Sequence, residues 1–209
     1  TLPNEYRIDI YLTNDGCTDG TPEAVKEQYP QVNIINAQGN LYWNRGMHLA
    51  WQTATQTKDY DYYLWINDDT FIYEKAIENL LSASAIHKEK AIITGACEDT
   101  KTHSYITYGG RKNWQMVIPN GEEAVVDCIN GNIVLVPQYV FHILGNLDYY
   151  FTHSKGDFDY GMRAVKAGIE MYQVGIPLGS CDAHEKLDKW CDPEVPFIQR
   201  WKMLHRPNG

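Results

Sequence analysis

The segment that most restricts the possible folds is a run of five nearly continuous apolar residues, Tyr-Tyr-Leu-Trp-Ile, at positions 62–66. A strand covered on one face alternates polar and apolar residues, whereas a strand buried on both faces is apolar throughout. The run therefore predicts a strand inside a sheet that has helices on both sides. It stops at Asn67-Asp68-Asp69, which puts polar side chains at the carboxyl end of the strand.

Two strand–helix units precede this central strand. Residues 6–12 alternate polar and apolar residues up to a turn at 13–16, and a threonine, a proline and a glutamate then favour a helix over 21–29. A second short strand over 32–35 leads to helical spacing over 45–56. Alternating strands and helices predict an α/β fold with a largely parallel sheet, in which ligands bind at the carboxyl ends of strands.

The second half of the chain is less regular and richer in strand patterns. No internal repeat, low-complexity tract or linker divides it from the first half, so we expect one asymmetric α/β domain. After position 177 the sequence has no regular pattern. The predicted elements are a helix over 74–87, strands over 91–95, 105–108, 115–118 and 125–136, a helix over 157–167 and a strand over 169–174.

Composition excludes several classes of protein. The net charge of −9 would repel phosphate backbones, so no nucleic acid partner is expected. No stretch approaches the roughly 20 apolar residues that cross a bilayer, and the amino terminus lacks a signal-peptide pattern, which predicts a soluble, cytoplasmic protein. The five cysteines lack CxxC spacing and are expected to be reduced thiols, and the group Cys181, His184 and Cys191 matches no usual structural zinc pattern.

Carboxylates follow two of the predicted strands. The sequence has no GxGxxG loop and no GxxxxGK loop followed by Ser or Thr, so a nucleotide would have to be held in another way. The pair Asp68-Asp69 suits Mg²⁺ or Mn²⁺, because these hard cations prefer oxygen ligands and can bridge a diphosphate. The alternative is a solvated turn in which a side chain caps the next helix. Asp15 and Asp19, in a glycine-rich turn, face the same two interpretations.

A third carboxylate lies at the predicted start of the helix over 157–167. Asp159 and Arg163 are four residues apart and can pair on its surface, which leaves Asp157 for another role. Asp157 is either the helix cap or a base that accepts a proton from a sugar hydroxyl. A helix amino terminus lowers a carboxyl pKa, so burial would have to raise it for a base. Asp157 and the Asp68-Asp69 pair could also be the two carboxylates of a hydrolase.

Taken in order, these stretches resemble glycosyltransferase family 2 of the GT-A fold over nearly the whole chain. Residues 12–21, LTNDGCTDGT, resemble the family's acidic turn after the second strand, where the carboxylate before the glycine contacts the nucleotide base. The resemblance implies this role for Asp15. Residues 40–47, NLYWNRGM, resemble the loop and helix start that supply a basic residue to the diphosphate, which implies that role for Arg45.

Residues 65–70, WINDDT, resemble the family's DxD region in the variant that begins with asparagine. The resemblance implies that Asp69 is the principal ligand of Mn²⁺ or Mg²⁺, that Asp68 faces the ribose, the metal or solvent, and that Asn67 contacts the nucleotide through its amide. His184 falls where many GT-A enzymes place a late histidine that completes the metal site, and an imidazole ligand slightly favours Mn²⁺.

Residues 131–159 resemble the acceptor-side block that ends in the family's ED motif. Asp157 matches the catalytic base of inverting members, whereas Gly156 stands where the family has glutamate. The chain also begins after the family's first strand, so that strand is expected to be missing. The resemblance implies one GT-A domain with a Rossmann-like, mostly parallel sheet, in which 1–100 form the nucleotide-binding half and 101–209 the smaller acceptor and catalytic half.

The family resemblance implies a metal-dependent, inverting glycosyltransferase that moves a sugar from a nucleoside-diphosphate sugar to a glycan or a lipid-linked acceptor. Rhamnosyltransferase-like relatives often carry the asparagine variant, which favours a dTDP-sugar over a UDP-sugar. The expected setting is polysaccharide biosynthesis in the cytoplasm, with peripheral association at the inner face of the membrane. Two alternatives stay open: a sugar-nucleotide or glycan binding module without turnover, and a sugar nucleotidyltransferase or hydrolase.

Overall fold

The computed structural model describes residues 5–183 and 194–204. The expected alternation of strands and helices is present in the first part of the chain. It runs through β1 (Tyr11–Asn14), α1 (Thr21–Gln28), β2 (Asn33–Asn36), α2 (Tyr42–Thr57) and β3 (Tyr62–Ile66). Strands β1 and β2 pair in parallel as a two-stranded sheet.

The remaining elements are mostly short strands and helices. Two of the short strands, Arg111–Lys112 (β7) and Gln115–Met116 (β8), form a separate antiparallel hairpin. In chain order the elements are β4 (Phe71–Ile72), α3 (Ala76–Ile86), β5 (Ile92–Glu98), β6 (Ile106–Tyr108), β7 (Arg111–Lys112), β8 (Gln115–Met116), β9 (Ala124–Val126), β10 (Ile133–Pro137), α4 (Gln138–Leu144), α5 (Gly156–Lys166), β11 (Met171–Ser180) and α6 (Phe197–Leu204).

The central sheet has seven strands in the order β3-β10-β5-β11-β4, with β6 added beside β5 and β9 beside β11. Strand β10 runs antiparallel to both β3 and β5, and β11 runs parallel to β5. The long strands β3, β5 and β11 therefore share one direction, and their carboxyl ends lie at one edge of the sheet. β10 starts at that edge, which puts the residues before it beside the ends of β3 and β5.

Both faces of the central sheet are covered, as the apolar run in β3 predicts. On one face, Trp51 of α2 and Tyr160 of α5 pack against Trp65. On the other face, Leu80 of α3 packs in a second cluster with Ile93 of β5. The described residues include no helix that is long and apolar enough to cross a membrane.

Several predicted boundaries were wrong. Helices α4 and α6 and strand β4 were not predicted, and the single strand expected over 125–136 is two strands, β9 and β10, separated by a turn. The sequence was read as irregular after Pro177, yet β11 continues to Ser180 because the strand register shifts on both sides of this proline. Proline lacks an N–H donor, so a strand accommodates it at such an irregularity.

Candidate active site

Asp15, at the end of β1, organises the loop that leads into α2. Its Oδ1 accepts hydrogen bonds from the N–H groups of Gly39 and Asn40, at 2.9 and 3.1 Å. Its Oδ2 accepts hydrogen bonds from the N–H groups of Leu41 and Tyr42, at 2.8 and 3.1 Å. A carboxylate has about four lone-pair positions, and four backbone amides occupy them here. In the structure Asp15 holds this loop in place. Its expected contact with a nucleotide base stays a prediction.

The two loops that meet at Asp15 approach each other backbone to backbone. Gly16 and Gly39 have φ angles of +76° and +90°, in the left-handed region that favours glycine. A Cβ atom on Gly16 would lie 3.0 Å from the Cα atom of Gly39. The glycines in the sequence pattern around Asp15 therefore allow this close approach.

Arg45 lies in the first turn of α2, where its charge opposes the helix dipole, as the sequence indicated. Its Nε donates a hydrogen bond to the carbonyl of Tyr149 at 3.0 Å, and its guanidinium lies 4.7 Å from the centre of the Tyr149 ring. The side chain is half-buried against the loop before α5. The structure thus gives Arg45 a protein partner, and its expected contact with a diphosphate stays a prediction.

Other polar side chains of α2 hold the same loop. The Nδ2 of Asn44 donates hydrogen bonds to the carbonyls of Asp148 and Phe151 at 2.8 and 2.7 Å. The ring Nδ1 of His48 lies 2.7 Å from the carbonyl of Leu147. This segment leads directly into α5, so α2 fixes the approach of the chain to Asp157. The sequence interpretation missed Asn44, although an asparagine on the inward side of an amphipathic helix was a signal.

Asn44 also accounts for the glycine at position 156. Asn44 is fully buried, and within the described part of the chain its Oδ1 has no hydrogen-bond partner. A Cβ atom on Gly156 would overlap with this Oδ1. Any other residue at position 156 would therefore have to displace the amide that holds the loop. The absence of the family's glutamate reflects this local packing.

Asp157 is the second residue of α5, inside the first turn. Lys155 occupies the N-cap position of this helix, with a φ of +72°. Asp157 as a whole residue is only 9% exposed. Its Oδ2 accepts a hydrogen bond from the N–H of Gly131 at 3.0 Å, and its Oδ1 from the N–H of Phe158 at 2.9 Å. Burial raises the carboxyl pKa above its ordinary value, and these two hydrogen bonds oppose that effect. Burial therefore outweighs the position at the helix terminus.

Contacts through Trp43 join the carboxyl end of β3 to Asp157. The Nε1 of Trp43 donates a hydrogen bond of 2.6 Å to Oδ1 of Asn67. The Trp43 indole packs on Gly131, where a Cβ atom would overlap with the ring. Gly131 in turn donates its N–H to Asp157. The sequence predictions included Asn67 and Asp157 at the two ends of this path. They missed Trp43 and Gly131 between them, because neither a tryptophan nor a glycine is a typical metal ligand or acid–base group.

The Asp68 and Asp69 side chains are exposed at the carboxyl end of β3. They do not cap the next helix, since α3 begins only at Ala76 and has no side-chain cap. Burial, and secondarily the nearby Asp69 carboxylate, raise the pKa of the Cys181 thiol, which disfavours a thiolate ligand. The two exposed carboxylates therefore remain as oxygen ligands, and oxygen ligands suit a hard cation such as Mg²⁺ or Mn²⁺.

The protein part of a metal site is incomplete over the described residues. Within residues 5–183 and 194–204, no group of three or more His, Cys, Asp or Glu side chains is placed to hold a metal ion. His184, the other predicted ligand, lies outside the described residues, as does Cys191. The structure thus links Asn67 to Asp157 through Trp43 and Gly131, with Asp68 and Asp69 directly after Asn67 in the chain, and leaves His184 untested.

Comparisons with known proteins identify the family and the fold of this chain. The model of glycosyl transferase family 2 matches residues 3–133. An N-acetylglucosaminyl-diphospho-decaprenol L-rhamnosyltransferase, from two strains of Mycobacterium tuberculosis, is 22% identical over 223 residues, which cover 92% of this chain and 72% of the relative. A crystal structure of GalNAc-T7 with UDP, GalNAc and Mn2+ superposes with a TM-score of 0.62 at 12% identity, covering 83% of this chain but only 37% of that chain.

Proposed function

We propose a mechanism and a substrate class for this chain, which belongs to glycosyl transferase family 2 and is a glycosyltransferase with the GT-A fold. It is a metal-dependent, inverting enzyme that moves a sugar from a nucleoside-diphosphate sugar to an acceptor hydroxyl. The observation that carries the proposal is Asp157, a buried carboxyl with a raised pKa that is linked through Trp43 to the acidic end of β3.

Asp157 is the general base of this mechanism. Its carboxylate accepts the proton of the acceptor hydroxyl as that oxygen bonds to the anomeric carbon of the donor sugar. The bond from the anomeric carbon to the diphosphate breaks, and its electron pair leaves with the nucleoside diphosphate. Because the acceptor attacks from the face opposite the leaving group, the anomeric configuration inverts. A raised pKa suits a base that works near neutral pH.

The exposed carboxylates after β3 and the loop after β1 hold the leaving group. Asp69, with His184, would hold Mn²⁺ or Mg²⁺, and the cation supplies positive charge that stabilises the departing diphosphate. Asn67 and Asp68 would lie beside the nucleotide at the same strand end. Asp15 would recognise the base by placing the amides of the loop it binds, and Arg45 would lie near the diphosphate at the start of α2.

The substrates follow from the family and from the relative. The relative is named for transferring L-rhamnose to N-acetylglucosaminyl-diphospho-decaprenol. By analogy, the donor is a dTDP-sugar in preference to a UDP-sugar, and the acceptor is a glycan or a lipid-linked sugar. A lipid-linked acceptor places the reaction at the cytoplasmic face of the membrane, with the enzyme bound peripherally during polysaccharide biosynthesis.

Calorimetric titration of dTDP and UDP, each with and without Mn²⁺, tests the proposal. The wild-type protein should bind one of them in a metal-dependent way, and Asp69→Ala should lose the metal dependence. Asp157→Asn serves as the matched variant, since it should bind the same nucleotide with unchanged affinity but transfer sugar far more slowly. Nucleotide binding without transfer by the wild type would indicate a binding module, and release of free sugar alone would indicate a hydrolase.

A further inference from the structure

The turn between β7 and β8 carries a tryptophan in a backbone conformation that tryptophan rarely adopts. Asn113 and Trp114 form this turn, and their φ angles are +50° and +67°. Two-residue hairpin turns with both φ angles positive favour Asn-Gly, because glycine has no Cβ to crowd the backbone. Asparagine tolerates the left-handed region, whereas a bulky residue there is an outlier. The sequence thus has Asn-Trp where folding alone favours Asn-Gly.

Packing does not explain the tryptophan. The Trp114 side chain is 70% exposed. Its ring and the Phe158 ring are nearly perpendicular, with a centroid distance of 6.4 Å, and the high exposure leaves most of the indole open to solvent. An aromatic residue that is both exposed and conformationally unfavourable points to a function, because such strain tends to collect at functional sites.

The turn nevertheless holds the indole in a defined place. The Nη1 of Arg111 donates a hydrogen bond to the carbonyl of Trp114 at 3.1 Å. The N–H of Asn113 donates one to Oδ2 of Asp127 at 2.7 Å. Phe158, which the indole touches, directly follows Asp157 in the first turn of α5. The open indole therefore lies beside the helix turn that carries the proposed base.

We propose that Trp114 is an acceptor-binding residue whose indole stacks on the apolar face of an acceptor sugar ring. This inference rests on the proposed function, since it takes Asp157 as the base that the acceptor hydroxyl must reach. A fixed aromatic face offers a large contact area at little conformational cost. The left-handed backbone of Trp114 is retained because it presents the ring to the acceptor.

The chain offers a matched pair of variants for the test. Trp114→Gly removes the ring and relieves the backbone, while Asn113→Gly relieves the neighbouring backbone position and keeps the ring. We expect each variant to leave the melting temperature unchanged or to raise it by up to about 4 °C. Only Trp114→Gly should weaken acceptor binding, by roughly two- to tenfold.

Binding can be read without the donor, by ¹⁹F NMR of the protein labelled with 5-fluorotryptophan. The resonance missing from Trp114→Gly identifies Trp114. The probes are methyl glycosides of N-acetylglucosamine, glucose, galactose and rhamnose. We expect at least one glycoside to shift the Trp114 resonance in the wild type and in Asn113→Gly, and that sugar to have the lowest acceptor KM of the four.

The results that overturn the inference are distinct from those that overturn the proposed function. A wild-type protein that binds dTDP or UDP but shows no glycoside shift at Trp114 overturns this inference alone. An acceptor KM that is equal in Trp114→Gly and the wild type does the same, as does a Trp114 shift caused only by anionic phospholipid vesicles. Failure to bind any nucleoside diphosphate overturns the proposed function, and the acceptor role with it.

Discussion

Two opposing influences act on the carboxyl group of Asp157, and their balance predicts how activity depends on pH. Burial raises its pKa, and hydrogen bonds from Gly131 and Phe158 lower it, with a net rise above 3.8. A base works only when deprotonated, so kcat/KM should fall as pH drops through this raised pKa. The pH profile of kcat/KM should therefore have an acidic limb above the ordinary aspartate pKa. A limb at or below the ordinary aspartate pKa would contradict this assignment.

Substitution of the same residue separates chemistry from binding. Asp157→Asn removes the proton acceptor and should lower kcat by on the order of 10²–10⁴-fold, with the Kd of the nucleoside diphosphate unchanged. Asp159→Asn is the matched control two residues along α5, because Asp159 pairs with Arg163 at 2.8 Å. This control should retain kcat within a few-fold of the wild type. Equal losses in both variants would point to damage to the helix instead of loss of a base.

The contact between Asn44 and Gly156 predicts that replacing this glycine by alanine destabilises the protein, which is the opposite of the usual effect in a helix. Alanine normally stabilises a helix relative to glycine, by about 0.5–1 kcal/mol. Gly156→Ala should instead lower the free energy of unfolding, because its Cβ atom would overlap with Oδ1 of Asn44. In the double variant Asn44→Ala/Gly156→Ala the overlap is gone. Its loss of unfolding free energy, measured in urea, should therefore differ from the sum of the two single losses by about 0.5–3 kcal/mol. Simple additivity would show that the two residues do not compete for space.

Helix α2 connects the loop that Asp15 holds to the segment before α5. The start of α2 is fixed by the four amides bound to Asp15, and its polar side chains bind the carbonyls of residues 147–151. A displacement of the loop that Asp15 holds should therefore be felt at the start of α2. The helix contacts both this loop and the segment that leads to Asp157.

This arrangement predicts that Asp15 acts on nucleotide binding through the loop. Asp15→Ala should leave four amides without an acceptor, increase hydrogen exchange at residues 39–42, and lower affinity for the nucleoside diphosphate by at least tenfold. Asp19→Ala is a control from the same turn, since Asp19 accepts a hydrogen bond from Thr21 at the exposed start of α1. The control should bind nucleotide normally. Unchanged exchange at 39–42 with lost affinity would favour a direct contact between Asp15 and the base.

At the level of the whole chain, the sequence predicted those features that depend on local periodicity. The apolar run of β3 indicated a sheet buried on both faces, and the alternating pattern indicated the order from β1 to β3. The insertion of β10 between β3 and β5 was not predictable, because strand order depends on contacts between residues far apart in the chain. The sequence singled out the carboxylates proposed for the site by their chemistry, whereas the contacts of Asn44, Trp43 and Trp114 are visible only in three dimensions.

The position of β10 leads to a last prediction, about cooperativity. This strand lies in the half that is predicted to bind the acceptor, yet it pairs with β3 and β5 of the half that is predicted to bind the nucleotide. Neither half can keep its share of the sheet when the other unfolds, so thermal unfolding should be a single transition with equal calorimetric and van't Hoff enthalpies. Mn²⁺ with a nucleoside diphosphate at 100 times its Kd should shift that whole transition upward by roughly 5–10 °C. Two separate transitions, with only the first responding to nucleotide, would show that the halves are independent units despite the shared sheet.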